Sequence, residues 1–111
     1  MVQTLQQRNV FSAGDHEIVS IDYTDHLDSG EILIGTPTVT EQETSDLTIS
    51  DIQINTAPLT ILGRNVDVGA AVQFSVKNQL AGVKYRIRVE AATNATPARK
   101  FVRDVLIRCE A

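Results

Sequence analysis

The chain has 111 residues, 42% of them hydrophobic, and a formal net charge of −4. That is the size of one domain with one modest core, so several independent cores are excluded. Acidic residues outnumber Lys and Arg, which argues against nucleic-acid binding by the chain as a whole, because phosphate affinity comes mainly from cations.

Residues 1–15 are polar and glutamine-rich, with isolated apolar residues at Val2, Leu5, Val10 and Phe11, and "SAGD" then breaks any regular element. They read as an N-terminal arm. It is either a frayed terminus or a segment that orders on a neighbour, with Val10 and Phe11 as anchors. The opening residues lack the apolar core of a signal peptide, and no apolar run approaches the roughly 18 residues that span a membrane. A soluble protein made in a cytoplasm, with no export address, is the expectation.

Residues 16–111 read as one β domain. "EIVSIDY" turns Ile18 or Val19 inward, depending on register. "EILIGTPTVT" is β-branched, and its Pro37 places it at a sheet edge or at a break in the ladder. "DLTISDIQIN" alternates as Leu47, Ile49, then Ile52 and Ile54, and the slip between Ile49 and Ile52 predicts a bulge or a change of sheet. "PLTILG" is a short strand closed by a glycine turn. "AVQFSVKN" sets Val72, Phe74 and Val76 on one face. "GVKYRIRVEA" does the same with Val83, Tyr85, Ile87 and Val89, and "KFVRDVLIRC" with Val105, Ile107 and Cys109. About seven short strands, separated by turn signals such as "DSG", "NTAP" and "GRNVDVG", predict an all-β, immunoglobulin-like sandwich. The turn before Tyr85 resembles a tyrosine corner, in which a buried hydroxyl bonds back to the upstream backbone. The single cysteine, Cys109, and the lack of tryptophan exclude a disulfide-stapled antibody-type domain. Cys109 reads as a small buried hydrophobe.

Little in the chain points to catalysis. Both histidines, His16 and His26, lie in polar stretches near the N-terminus. No nucleophile elbow, phosphate-binding loop or dinucleotide fingerprint is present. A non-enzymatic protein without a cofactor is expected. The stretch "DYTDHLDSGE" spaces Asp22, Asp25, Asp28 and Glu31 three residues apart around His26. On a strand that spacing alternates faces, and one helical turn is too short to hold all four together, so no metal site is expected. The segment instead reads as a capped turn, with Thr24 or Asp25 as N-cap, Leu27 turned inward and the acids in solvent.

A basic cluster comprises Lys84, Arg86, Arg88, Arg99, Lys100 and Arg103. Lys84, Arg86 and Arg88 alternate along one strand and share its outer face. That face is either an ordinary charged surface or one that meets an acidic surface of a protein partner, where charge sets register and on-rate. The acidic stretches at 22–31 and 41–51 have the opposite sign, so copies in a head-to-tail ring could match the two faces. Candidate interface residues are therefore Val10, Phe11, Asp25, His26, Asp28, Lys84, Arg86 and Arg88.

Three stretches, taken in order, resemble the bacteriophage fibre–tail adaptor family of small immunoglobulin-like tail proteins. They are "SIDYTDHLDSGEIL", "GVKYRIRV" and "RKFVRDVLIRCEA", spanning about residues 20 to 111. His26 stands where the family commonly has an aromatic residue, and the N-terminal arm has no counterpart. The resemblance implies a structural virion component without catalysis, present in several copies in the tail or baseplate and joining a fibre or neighbouring subunit to the tail body. Its partners would be other tail proteins and copies of itself, with neither nucleic acid nor membrane. Alternatives are a neck, head-completion or capsid decoration protein, or a carbohydrate-binding host-attachment module.

Overall fold

Alternation of apolar and polar side chains, with β-branched residues at many of the inward positions, favours extended backbone along most of the chain. The structure, a computed structural model, describes residues 10–61 and 63–110. Its strands are β1 (Val10–Ser12), β2 (Glu17–Asp22), β3 (Leu33–Gln42), β4 (Thr48–Ile54), β5 (Leu59–Ile61), β6 (Arg64–Val66), β7 (Ala71–Lys77), β8 (Lys84–Thr93) and β9 (Lys100–Glu110), with one 3-10 turn at Thr24–His26. They form a four-stranded sheet of order β1-β9-β8-β3, a three-stranded sheet of order β2-β7-β4 and a β5-β6 ribbon. Side chains of the two larger sheets share one core. Val19, Ile21, Val72, Phe74 and Val76 come from one sheet, and Tyr85, Ile87, Val89, Val105, Ile107 and Cys109 from the other. The protein is an all-β sandwich.

The inward registers follow the sequence pattern. Val19 is buried and Ile18 exposed, which settles the register of β2. Pro37 lies on β3, an edge strand, where the pairing with β8 shifts between Ile34 and Thr38 and Gly35 takes a φ of 76°. The slip foreseen in β4 is a register shift between Ser50 and Gln53, with Asp51 at a φ of 54°. Asp tolerates that left-handed conformation better than most residues.

The N-terminal boundary is corrected. Val10–Ser12 is a strand of the domain and pairs in parallel with Arg108–Glu110. Phe11 sits opposite Cys109 and is 1% exposed, so it anchors into its own core, not onto a neighbour. Fully burying such a side chain contributes about 1.5–3 kcal/mol, which seats this strand on the sheet. Residues 1–9 of the expected arm lie outside the described residues. A second correction concerns "GRNVDVG", expected as a turn. Arg64–Val66 pairs with β5, and Val66 is fully buried against Ile61, Ala70 and Ala71.

The loops crossing between the sheets are fixed by polar side chains. Glu41 accepts hydrogen bonds from the Thr44 hydroxyl and from the N–H groups of Asp46 and Leu47, both at 2.9 Å, and so closes the β3–β4 crossing. The Leu80 N–H donates to the Tyr85 hydroxyl at 2.8 Å, the bond expected of the tyrosine turn, and that hydroxyl reaches Asp46 at 3.2 Å. Asn55 is buried. Its carbonyl accepts from Gly69, Ala70 and Ala71, and its amide donates to Ala57 and Asp67, which satisfies the loop backbone beneath the ribbon.

Candidate interaction surfaces

The acidic stretch becomes one structured turn, and its carboxylates divide into two pairs. Asp22 ends β2 and accepts from the N–H and hydroxyl of Thr24, an Asx-type turn. The expected cap is therefore corrected. Tyr23 is at the N-cap without a side-chain cap, and Asp22 supplies the acceptor that Thr24 or Asp25 was expected to give. Arg64 of β6 then reaches both Asp22, at 3.6 Å, and Asp25, which it grips through two bonds of 3.0 and 2.6 Å. The Arg64 guanidinium holds the Asp25 carboxyl below the usual carboxylate range.

The second pair sits at the start of β9. Asp28 and Glu31 close a tight turn through the Glu31 N–H on the Asp28 carbonyl, with Gly30 at a φ of 81° between them. The Asp28 N–H donates back to the Glu31 carboxylate at 2.9 Å. Arg99 grips Glu31 with both its Nε, at 3.0 Å, and one terminal nitrogen, and that nitrogen also donates to the His26 carbonyl at 2.9 Å. The Glu31 side chain is 4% exposed and that of Asp28 is 83% exposed. Arg99, helped by the Asp28 N–H and Thr93, lowers the Glu31 pKa to about 2. The acids were expected to stand in solvent. The structure corrects this for Asp22 and Glu31, which are buried and paired.

His26 packs beside Tyr23 and Phe101, with ring centroids 6.4 and 5.7 Å away. The Arg103 guanidinium lies 3.1 Å from its Nδ1 and over the Phe101 ring. Burial, then Arg103, lowers the His26 pKa. Leu27 is half-buried against the core, as expected. Tyr23 is fully buried and its hydroxyl has no hydrogen-bond partner among the described residues. Burial pushes that hydroxyl's pKa well up. Among the described residues, no group of three or more His, Cys, Asp or Glu could hold a metal ion.

Lys84, Arg86 and Arg88 do share the outer face of β8, but they differ in partners. Arg88 is tied to Asp104 of β9 by bonds of 3.0 and 3.3 Å. Arg86 reaches the same carboxylate only at 4.0 Å. Lys84 lies opposite Arg108 in the sheet, and neither has a carboxylate within 4.0 Å among the described residues. Lys84, Arg86 and Arg108 surround the exposed Leu106 in a groove of about 460 Å³, which Val10 and Glu43 complete. The structure thus places Asp25, His26 and Asp28 together near the start of β9, and Lys84, Arg86 and Val10 together near its end. Phe11 belongs to neither surface.

Sequence reasoning missed Arg64, Arg108 and Leu106 as surface determinants, and Arg99 as the partner of Glu31. Arg64 is the only Lys or Arg between residues 9 and 76, which was an available signal, whereas Arg99 stands beside Lys100 in the basic cluster and nothing local marked its partner. Arg108 and Leu106 alternate with the core residues Ile107 and Cys109, so the period that found the core also marks them as outward.

No helix among the described residues is long and apolar enough to cross a membrane. The chain matches no protein-family model, no curated protein and no solved structure. Fold and surfaces define a class, an all-β sandwich with one self-paired acidic turn and one cationic groove, and the role must be argued from those features.

Proposed function

We propose that this protein is a non-enzymatic structural component of a phage virion, an adaptor joining a fibre or neighbouring subunits to the tail or baseplate. The observation that carries this reading is how the three family-like stretches meet. The turn in "SIDYTDHLDSGEIL" is fastened to the start of "RKFVRDVLIRCEA" by Arg99 on Glu31, by Arg103 beside His26 and by Tyr23 stacked on Phe101 at 6.1 Å. "GVKYRIRV" pairs along that same strand. The stretches that carry the resemblance form one connected unit. His26 fills the aromatic position as a ring against Phe101, which suits the family pattern.

The strand order supports an immunoglobulin-like assignment within that reading. β2-β7-β4 and β3-β8-β9 correspond to the B-E-D and C-F-G sets of such sandwiches, and Tyr85 takes the place of the tyrosine-corner residue. A sugar-binding role is disfavoured by the aromatics, since Phe11, Tyr23, Phe74 and Tyr85 are buried and Phe101 is covered by Arg99 and Arg103.

Mass spectrometry of purified particles, with immunogold labelling, tests the proposal. Labelled tails with the chain in a fixed multiple-copy ratio are expected. Label on the neck or capsid would move the protein to another virion role. Absence from particles would overturn the reading.

A further inference from the structure

The eleven-residue strand β9 is bonded along most of one side to β8, and on its other side, among the described residues, it pairs only with β1, at Arg108–Glu110. Which backbone groups are left over follows from the ladder. The Cys109 N–H donates to Val83, its carbonyl accepts from Gly82, and the Arg99 carbonyl accepts from Thr93. The odd-numbered residues of β9 therefore bond toward β8. In a strand the intervening residues face the other way, so the N–H and C=O groups of Val102, Asp104 and Leu106 point to the open edge. Among the described residues no strand pairs with them, and the Val102 carbonyl accepts only from the side chain of Arg103, at 2.8 Å.

This edge carries a consistent chemistry. On the outer face Val102 and Leu106 are 42% and 58% exposed. Arg86, Arg108 and Lys84 stand at its end around a groove that Glu43 also lines, and Asp104, between Val102 and Leu106, is taken up by Arg88 at 3.0 Å and reaches Arg86 at 4.0 Å. On the inner side Arg103 lies along the edge with no carboxylate within 4.0 Å among the described residues. A chain of net charge −4 thus gathers along this edge cations that have no carboxylate within 4.0 Å among the described residues, Arg103 on one face and Lys84 and Arg108 on the other.

We infer that the open edge of β9 between Lys100 and Ile107 is a docking site for an extended acidic segment of a partner protein, which adds as a strand. Its backbone would bond Val102, Asp104 and Leu106. Its apolar side chains would lie on Val102 and Leu106, and its carboxylates would meet Arg103 on one face and Arg86 and Arg108 on the other. Strand addition draws affinity from the backbone and specificity from alternate side chains. Nucleic acid fits less well, because the cations are interleaved with exposed aliphatic side chains and edge amides rather than with stacking rings. The inference deepens the adaptor reading and rests on it only in taking the partner to be a protein.

The test uses the full chain and a labelled synthetic peptide alternating glutamate and valine over about seven residues, matched to the open edge at ~3.3 Å per residue. Fluorescence anisotropy is expected to show binding at least about tenfold tighter than for the lysine–valine counterpart. Proline at alternate positions should abolish it. Arg86→Glu with Arg108→Glu should weaken it by about tenfold or more, with Tm unchanged as a check on folding. Amide shifts on binding should concentrate at Val102, Asp104 and Leu106.

Equal binding of the proline peptide would overturn strand addition, and equal binding of the lysine peptide would overturn the charge assignment. A single-stranded DNA oligonucleotide that displaces the peptide would make the surface a nucleic-acid site instead. If edge amides are protected in the free chain and released by deleting residues 1–9, the occupant is the chain's own N-terminus and the inference fails. Protection that grows with protein concentration would identify a second copy, with the same consequence. None of these results depends on finding the protein in particles, so the adaptor reading and this one can fail separately.

Discussion

Around the acidic turn the buried carboxylates meet cations of the same chain, while the cations near the end of β9 meet no carboxylate at close range among the described residues. Arg99 meets Glu31, and Arg64 meets Asp22 and Asp25. Lys84 and Arg108 have no such partner among the described residues, and Arg86 only a distant one. Both regions look alike in sequence, as clusters of like charge. The structure separates a cluster that fastens a turn from one that remains available. Charge already neutralised at short range, with one partner buried, has little left to offer another protein.

The largest expected effect concerns where the strand edge is covered and where it is open. Phe11→Ala removes the side chain that seats β1 on β9, and chemical denaturation should show a loss of about 3–5 kcal/mol. Leu106→Ala, two residues beyond the covered part and 58% exposed, should stay within about 0.5 kcal/mol. Similar losses at both sites would break the distinction.

The cations should divide in the same way. Arg99→Ala leaves the Glu31 carboxylate buried without its cation and should lower Tm by several degrees. Arg108→Ala should leave Tm within about 2 °C of the parent. Next come the two buried tyrosines. Tyr85→Phe deletes the hydroxyl that accepts from Leu80 and reaches Asp46, and should cost about 1–2 kcal/mol. Tyr23→Phe deletes a hydroxyl with no partner among the described residues, so its stability should be unchanged or slightly higher.

The acidic turn also predicts a pH dependence. The folded-state pKa of Glu31 lies at about 2, below its ordinary value of 4.5. Its stabilisation is therefore fully present above pH 4.5 and is lost as pH falls toward 2. Urea midpoints measured across that window should fall in the parent and fall less in Glu31→Gln. The smallest effect is at His26. Its imidazole should titrate below the ordinary value of 6.5, and Arg103→Ala should raise that pKa by removing a nearby cation.

Most of the strands were legible because a half-buried strand alternates, and residues such as Val72, Phe74 and Val76 mark the inward face directly. The two irregularities were legible for equally local reasons. Pro37 withholds a ladder donor, and Asp51 interrupts the period. Tyr85 was legible because its turn and its strand are adjacent in sequence. Long-range partners left no such local trace. Phe11 is one apolar residue in a polar stretch, and its neighbour Cys109 lies at the other end of the chain. The three-residue spacing of the acids argued against a shared ion, but it said nothing of Arg64 and Arg99, which pair with Asp22 and Glu31. The unpaired edge of β9 is a property of the sheet, since it depends on which strands lie beside β9 and not on the sequence of β9 itself.

Amide hydrogen exchange along β9 in the free protein tests the central claim most directly. The account predicts alternation, with Phe101, Arg103 and Val105 protected by their bonds to β8, and Val102, Asp104 and Leu106 exchanging orders of magnitude faster. Uniform protection along the strand would contradict it.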